Sequence, residues 1–240
     1  MWHIPYNPPR EEISFYIDQA LSRLDALRRV DQDLWRDFLG ASSLLALSGL
    51  RAQSPYHDRL NISASTRKAL QQAMRKEDLL WVDENPYTPE HLSYSLVNLA
   101  ACRRLADAYP LGEGISTATA VLEYSTAGFY AYNLALDISL ARILEEREEA
   151  KVWLTDWWTP HNLRFGMLLG YPAKVLESFV RHEIGQIPQQ QMEAVNFPNP
   201  ANMGAAVSFL ASKEAIRDEE TQRVIQLWRQ VISGVWERCQ

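Results

Sequence analysis

The side chains best suited to chemistry gather in WWTPHNLRFGMLLGYPAKVLESFVRHE, residues 157–183. Thr159 followed by Pro160 is a helix start: a hydroxyl able to cap, then a proline whose fixed φ and missing N–H suit the first helical position. His161 and Arg164 then sit one turn apart at a helix end whose backbone N–H groups are free. Such an end attracts anions, and a guanidinium beside it offers a two-pronged grip on a carboxylate or phosphate. Trp157, Trp158 and Tyr171 can wall that place. The set His161, Arg164, Trp157, Trp158 and Tyr171 is therefore the candidate ligand-binding site, for a small anionic or aromatic ligand. The competing account of the same residues is structural, with the tryptophans as core anchors, His161 at the surface and Arg164 in an ion pair.

A second polar set lies upstream. Ser116, Thr119, Glu123, Thr126, Tyr130, Asn133 and Asp137 recur every three or four residues and so share one face of a helix spanning about 115–149. That face carries no basic residue. Glu123, Tyr130, Asn133 and Asp137 are its chemically richest members, lining either a polar groove or a solvated surface. Glu123 and Asp137 stand about 21 Å apart along the axis, too far to act as one carboxylate pair.

No reaction can be assigned. The nucleophile elbow, phosphate-loop, zinc-protease and dinucleotide fingerprints are all absent. Histidines 3, 57, 91, 161 and 182 are scattered, and Tyr56–His57–Asp58–Arg59 is a polar cluster in a loop. A histidine is the natural general base near neutral pH, yet no nucleophile–base pair stands out and the catalytic residues are unknown. Cys102 and Cys239 are far apart and match no zinc spacing. Neither a cofactor nor a metal is expected.

A net charge of −6 argues against broad attraction to nucleic acid or anionic membrane. The longest uncharged apolar-leaning run, Tyr124–Leu136, is 13 residues and holds Ser, Thr, Tyr and Asn, so no membrane span is expected. The first residues, MWHIPYNPPREE, lack the basic and apolar regions of a secretory signal. A cytoplasmic protein is the expectation.

The elements that must position these groups are helical. Ile13, Ile17, Leu21, Leu24 and Leu27 fall at helical spacing after an extended lead-in over 1–9, with a break near Val30–Asp31. A second helix runs from Leu34 through LLALSGL to Gly49. A loop over 51–63 follows, and Ser63 or Ser65 caps a helix reaching about Lys76. The stretch from Asp78 to His91 reads as irregular. Thr88–Pro89 starts a helix that runs to about Tyr109. After the helix at 115–149, one helix begins at Pro160 and ends at Gly170, and another spans 173–182. A segment punctuated by Gln and Pro comes next, then a helix from about Pro200 to Lys213. In the last helix Val224, Leu227, Trp228, Val231, Val235 and Trp236 form one apolar stripe. The expected fold is mainly α: a single multi-helix domain over 1–240 containing an αα-hairpin at about 160–183.

Two resemblances attach to that hairpin. Gly166, Leu169, Gly170, Leu176 and Phe179 occupy the small and apolar places of a DNA-binding helix-turn-helix, which the segment is similar to. Its second helix, however, sets Lys174 and Arg181 against Glu177 and Glu183, nearly neutral where a DNA reader supplies several cations. The piece GMLLGYP, Gly166–Pro172, resembles a G-x-L-L-G-Y-P segment of uncharacterised prokaryotic proteins. In some of those, cysteines follow the proline where Ala173 and Lys174 stand here, so no thiol chemistry carries over. That resemblance implies a recurrent local turn and no function.

The functional expectation is a soluble, non-enzymatic binding or protein-interaction protein with a small anionic-ligand site near Thr159–Arg164. Its alternatives are a helix-turn-helix DNA binder using 163–182 and an enzyme of unassigned reaction with a histidine base. Tryptophans on the terminal helix leave oligomerisation open.

Overall fold

The helical spacing of Ile13–Leu27 builds α1 (Ile13–Val30), which buries Tyr16, Ile17, Ala20, Leu24 and Leu27. The computed structural model describes residues 12–54, 62–83, 94–108, 126–146, 158–197 and 208–240. Asp31 ends α1, and its Oδ1 accepts the N–H groups of Asp33 and Leu34 to turn the chain. Only a short 3₁₀ turn follows at Leu34–Phe38, and the α-helix proper, α2, covers Ala41–Ser48. The expected single helix from Leu34 to Gly49 is thus split at Gly40, whose extended backbone begins α2. All eight residues of α2 are buried, which suits a helix apolar on every side. Gly49, at φ 85°, closes it in the left-handed conformation a helix end favours. Arg23 of α1 is buried beside that end and donates to the Leu47 and Glu77 carbonyls, two acceptors that helix termini leave over.

Ser63 caps α3 (Ala64–Lys76), its Oγ accepting the Thr66 N–H at 3.1 Å. Two departures from the sequence expectation come next. Leu79–Asp83 (β1) and Tyr94–Asn98 (β2) pair as an antiparallel two-stranded sheet with Trp81 opposite Leu96. The first was expected to be irregular, and the second lay inside the helix expected from Pro89. Every residue of β2 is buried, so the strand shows no in–out alternation and its apolar run reads as helix or strand equally well. The helix start is Asn98, whose Oδ1 accepts the Ala101 N–H at 2.9 Å to open α4 (Leu99–Ala108). Thr88, Pro89 and His91 lie outside the described residues.

Of the helix expected over 115–149, the described part is α5 (Thr126–Glu146), with Phe129, Tyr132, Leu136, Leu140 and Leu144 buried. The hairpin forms as α6 (Trp158–Leu168) and α7 (Ala173–Glu183). After a 3₁₀ turn at Gln189–Gln191, β3 (Met192–Asn196) pairs antiparallel with β4 (Ser208–Ser212). The helix expected from Pro200 to Lys213 is therefore strand over its described part. Helix begins only at Lys213, where Ser212 caps α8 (Lys213–Arg217). Asp218 then caps α9 (Glu219–Cys239), accepting the Thr221 N–H at 3.1 Å. Among the described residues the fold is mainly α, with nine α-helices and two small sheets.

Two hydrophobic clusters organise the interior. One joins α1, α2, α3, the β3–β4 sheet and α9. The other joins α4, α5, α6 and the far side of α7. Tyr171, in the turn of the α6–α7 hairpin, packs against both.

Candidate functional site

Arg164 emerges from α6 with 7% of its surface exposed, and it already has partners. Its Nε donates to Asp137 Oδ1 on α5 at 2.8 Å, and its Nη2 lies 2.7 Å from His161 Nδ1. A guanidinium has donors only, so the imidazole Nδ1 accepts and the ring proton of neutral His161 sits on Nε2. Desolvation and then the adjacent Arg164 charge pull the His161 pKa down, against an opposing pull from Asp137. The result is a chain, Asp137 to Arg164 to His161, tying α5 to α6. His161 reaches Asp137 through the arginine. The lone pair a general base would use is held by Arg164, and the charge an anion would seek is answered by Asp137.

The remaining expected residues disperse. Tyr130 is 48% exposed while Asn133 is buried with its Oδ1 unpartnered, so the described part of the polar stripe twists from solvent to interior along α5. Glu123 and Trp157 lie outside the described residues, as do the side chains of Trp158 and Thr159. Tyr171 packs at a centre built from other parts of the chain, against Phe209, Trp228 and Arg51.

That centre forms where the α6–α7 turn meets the segment after α2. Leu168 O accepts the N–H groups of both Ala52 and Gln53, at 2.9 and 3.0 Å. The Asn98 N–H donates to Ala52 O at 2.8 Å, and the Ser54 N–H to Leu96 O at 2.8 Å. Residues 51–54 are thus threaded between the hairpin and β2, and all four are buried. Gly170 permits this approach. It holds φ 74°, and a Cβ there would stand 2.7 Å from Leu50 O, 3.4 Å from Arg51 Cγ and 3.6 Å from Trp228 Cζ2. Gly166 is required for a separate reason, since its Cβ would come within 2.2 Å of Leu176 Cδ2 between the two hairpin helices.

At this junction Arg51 is 1% exposed. Its guanidinium lies over the Trp228 ring of α9 at 4.3 Å and over the Tyr171 ring at 5.6 Å. Phe209 stands 5.3 Å from Tyr171, and Phe197 stands 5.3 Å from Trp228, extending the aromatic lining into β4 and the end of β3. Among the described residues Arg51 Nε and Nη2 have no hydrogen-bond partner, and Gln53 nearby in the chain leaves Oε1 unpartnered while its Nε2 donates to Ser95 Oγ at 3.2 Å. Burial pulls the guanidinium pKa down to about 10, opposed by the Tyr171 phenol, so the group remains a cation at neutral pH. Arg51 is thus a buried cation whose faces lie on aromatic rings. Sequence reasoning missed Arg51 because a lone arginine at the head of a polar loop has no periodicity. Its neighbours come from the far end of the chain.

A separate open cleft of about 630 Å³ lies between α7 and the β4–α8 turn. Lys174, Glu177 and Arg181 line one side, and Lys213 and Arg217 the other. Glu177 sits between Lys174 at 3.2 Å and Arg181 at 3.8 Å. The cations on which the helix-turn-helix alternative depends therefore share the Glu177 carboxylate.

No protein-family model, no curated protein and no solved structure matches this chain. Among the described residues no helix is long and apolar enough to cross a membrane.

Proposed function

We propose that the protein is a non-enzymatic binding protein that holds a small anionic ligand against Arg51, with Tyr171 and Trp228 as the walls. One observation carries this: a guanidinium 1% exposed whose Nε and Nη2 are both unpartnered among the described residues. Removing a cation from water costs several kcal/mol, and stacking on aromatic faces returns about 2 kcal/mol when desolvated. An anion that pairs with the edge donors offsets the remainder. The chemistry anticipated for His161 and Arg164, an arginine walled by aromatic rings, is thereby reassigned to Arg51, because Arg164 has Asp137 as its counter-charge. A cytoplasmic setting accords with Cys102 and Cys239 being free thiols.

Thermal unfolding of the wild type and of Arg51→Met, with millimolar organic and inorganic anions, tests the proposal. A ligand at a hundred times its Kd raises the wild-type midpoint by roughly 5–10 °C and leaves Arg51→Met unmoved. Equal shifts in both proteins, or none in either, contradict it.

A further inference from the structure

Three of the five large apolar side chains that stand exposed among the described residues belong to α5: Tyr130 at 48%, Leu134 at 61% and Ile138 at 48%. Their helical spacing puts them on one face, opposite the buried Phe129, Leu136, Leu140 and Leu144. The same outer face carries Ala127 and Ala131, both exposed, and the half-buried Ala141, and it ends in the exposed charges of Arg142 and Glu145. The inner side of α5 meets α6 and β1. A helix apolar on its inner and its outer side has the composition of one covered all round. From Ala127 to Glu145 the outer strip runs about 27 Å. A contiguous apolar strip, unlike scattered exposed side chains, marks a contact surface. The tryptophans of α9 supply no such surface, since Trp228 is buried and Trp236 packs on the core with its Nε1 donating to Leu39 O.

The order of residues along the strip points to its occupant. A two-fold axis crossing it at the level of Leu136 sets two antiparallel copies of α5 in one register. Leu134 then faces the second copy's Ile138, Ala131 its Ala141, and Ala127 its Glu145, while Tyr130 comes level with its Arg142. Large side chains meet at the centre, and the small ones on either side let the helices approach, so the strip is complementary to itself as an isologous contact requires. Charge selects the direction. Arg142 and Glu145 stand at one end of the strip, so antiparallel pairing lays them against the uncharged Ala127–Ala131 end of the other copy. Parallel pairing would set Arg142 on Arg142 and Glu145 on Glu145, with the helix dipoles aligned instead of opposed. We infer that two copies of this chain pair through the outer face of α5, antiparallel about Leu136. The contact is one helix wide, the small kind that forms reversibly.

Sedimentation velocity of the full-length wild type, from low micromolar to near-millimolar concentration, tests this beside Leu134→Glu and Ile138→Glu. Both side chains are exposed, so the variants keep the fold, which circular dichroism at dilute concentration checks. The wild type should pass from monomer to dimer as concentration rises, and either glutamate should weaken the association by about tenfold or more, because it carries a charge into an apolar seam. A wild type that stays monomeric throughout, or a dimer that both variants form equally well, overturns the inference. Disulfide crosslinking on a Cys239→Ser background, with Cys102 buried, reads the register. Ala131→Cys mixed with Ala141→Cys should give the heterodimer under mild oxidation, ahead of either variant alone. Faster crosslinking of Ala131→Cys with itself overturns the antiparallel pairing.

Discussion

Two buried arginines flank the same helical hairpin and are treated in opposite ways. Arg164, on α6, has a carboxylate and an imidazole on its donors and joins α5 to α6 as a cross-link. Arg51, packed against the hairpin turn, has two aromatic faces and, among the described residues, nothing on its Nε and Nη2. A satisfied buried charge is part of the scaffold, because removing its partner leaves a cation stranded in low dielectric. An unsatisfied one contributes little to the fold and retains its capacity to bind. On the proposed reading, recognition belongs to Arg51 and Arg164 belongs to the scaffold.

The largest expected effect comes from the glycine that lets Arg51 and the turn approach. Gly170→Ala adds a Cβ 2.7 Å from the Leu50 carbonyl at φ 74°. Left-handed strain together with overpacking gives a loss of about 3 kcal/mol in chemical denaturation. Any thermal response to anions that depends on Arg51 should disappear with it. Retained stability would show that the turn adjusts freely and that the junction is looser than described.

Next in size is Asp137→Ala. It strands Arg164, whose side chain is 9% exposed, beside a carboxylate site that is 27% exposed. The expected loss is about 2 kcal/mol, below the fully buried range because Asp137 is partly solvated. The same variant should keep any thermal response to anions, which separates the two arginines in one protein. Arg51→Met stands opposite: without ligand it should be at least as stable as wild type, since relieved desolvation exceeds the lost stacking.

The smallest effect is on pH dependence. The folded-state pKa of His161 lies below that of a free imidazole, chiefly through desolvation and then through Arg164. The unfolded chain therefore takes up the proton first. Stability from this group is complete above about pH 6.5 and is lost as the pH falls from there through the folded pKa. Denaturation midpoints at neutral and mildly acidic pH should show this fall in the wild type and a shallower one in His161→Gln. A steeper fall in the variant would contradict the neutral tautomer assigned to His161.

Amphipathic elements were legible in the sequence, and elements buried on both faces were not. The stripe of Val224, Trp228, Val231 and Val235 marked α9 plainly because its opposite face is solvated. Ser63 and the Gly170 turn were readable from local chemistry, a hydroxyl cap and a left-handed glycine. Tyr94–Asn98 was not, since all five residues are buried and Thr88–Pro89 offered a competing helix start. The site divides along the same line. Tyr171 was identified within its motif, while Arg51 and Trp228 meet only through tertiary packing of α2's end against α9. A guanidinium's lack of a partner is a property of the folded chain, with no trace in the spacing of residues.

The most direct test of this contrast is an NMR titration of the wild-type protein with sodium acetate, following the assigned arginine Nε–H signals. The Arg51 Nε–H signal should shift downfield and saturate, while the Arg164 signal, already bonded to Asp137, stays in place. Movement of the Arg164 signal instead, or an Arg51 signal indifferent to acetate, would contradict it.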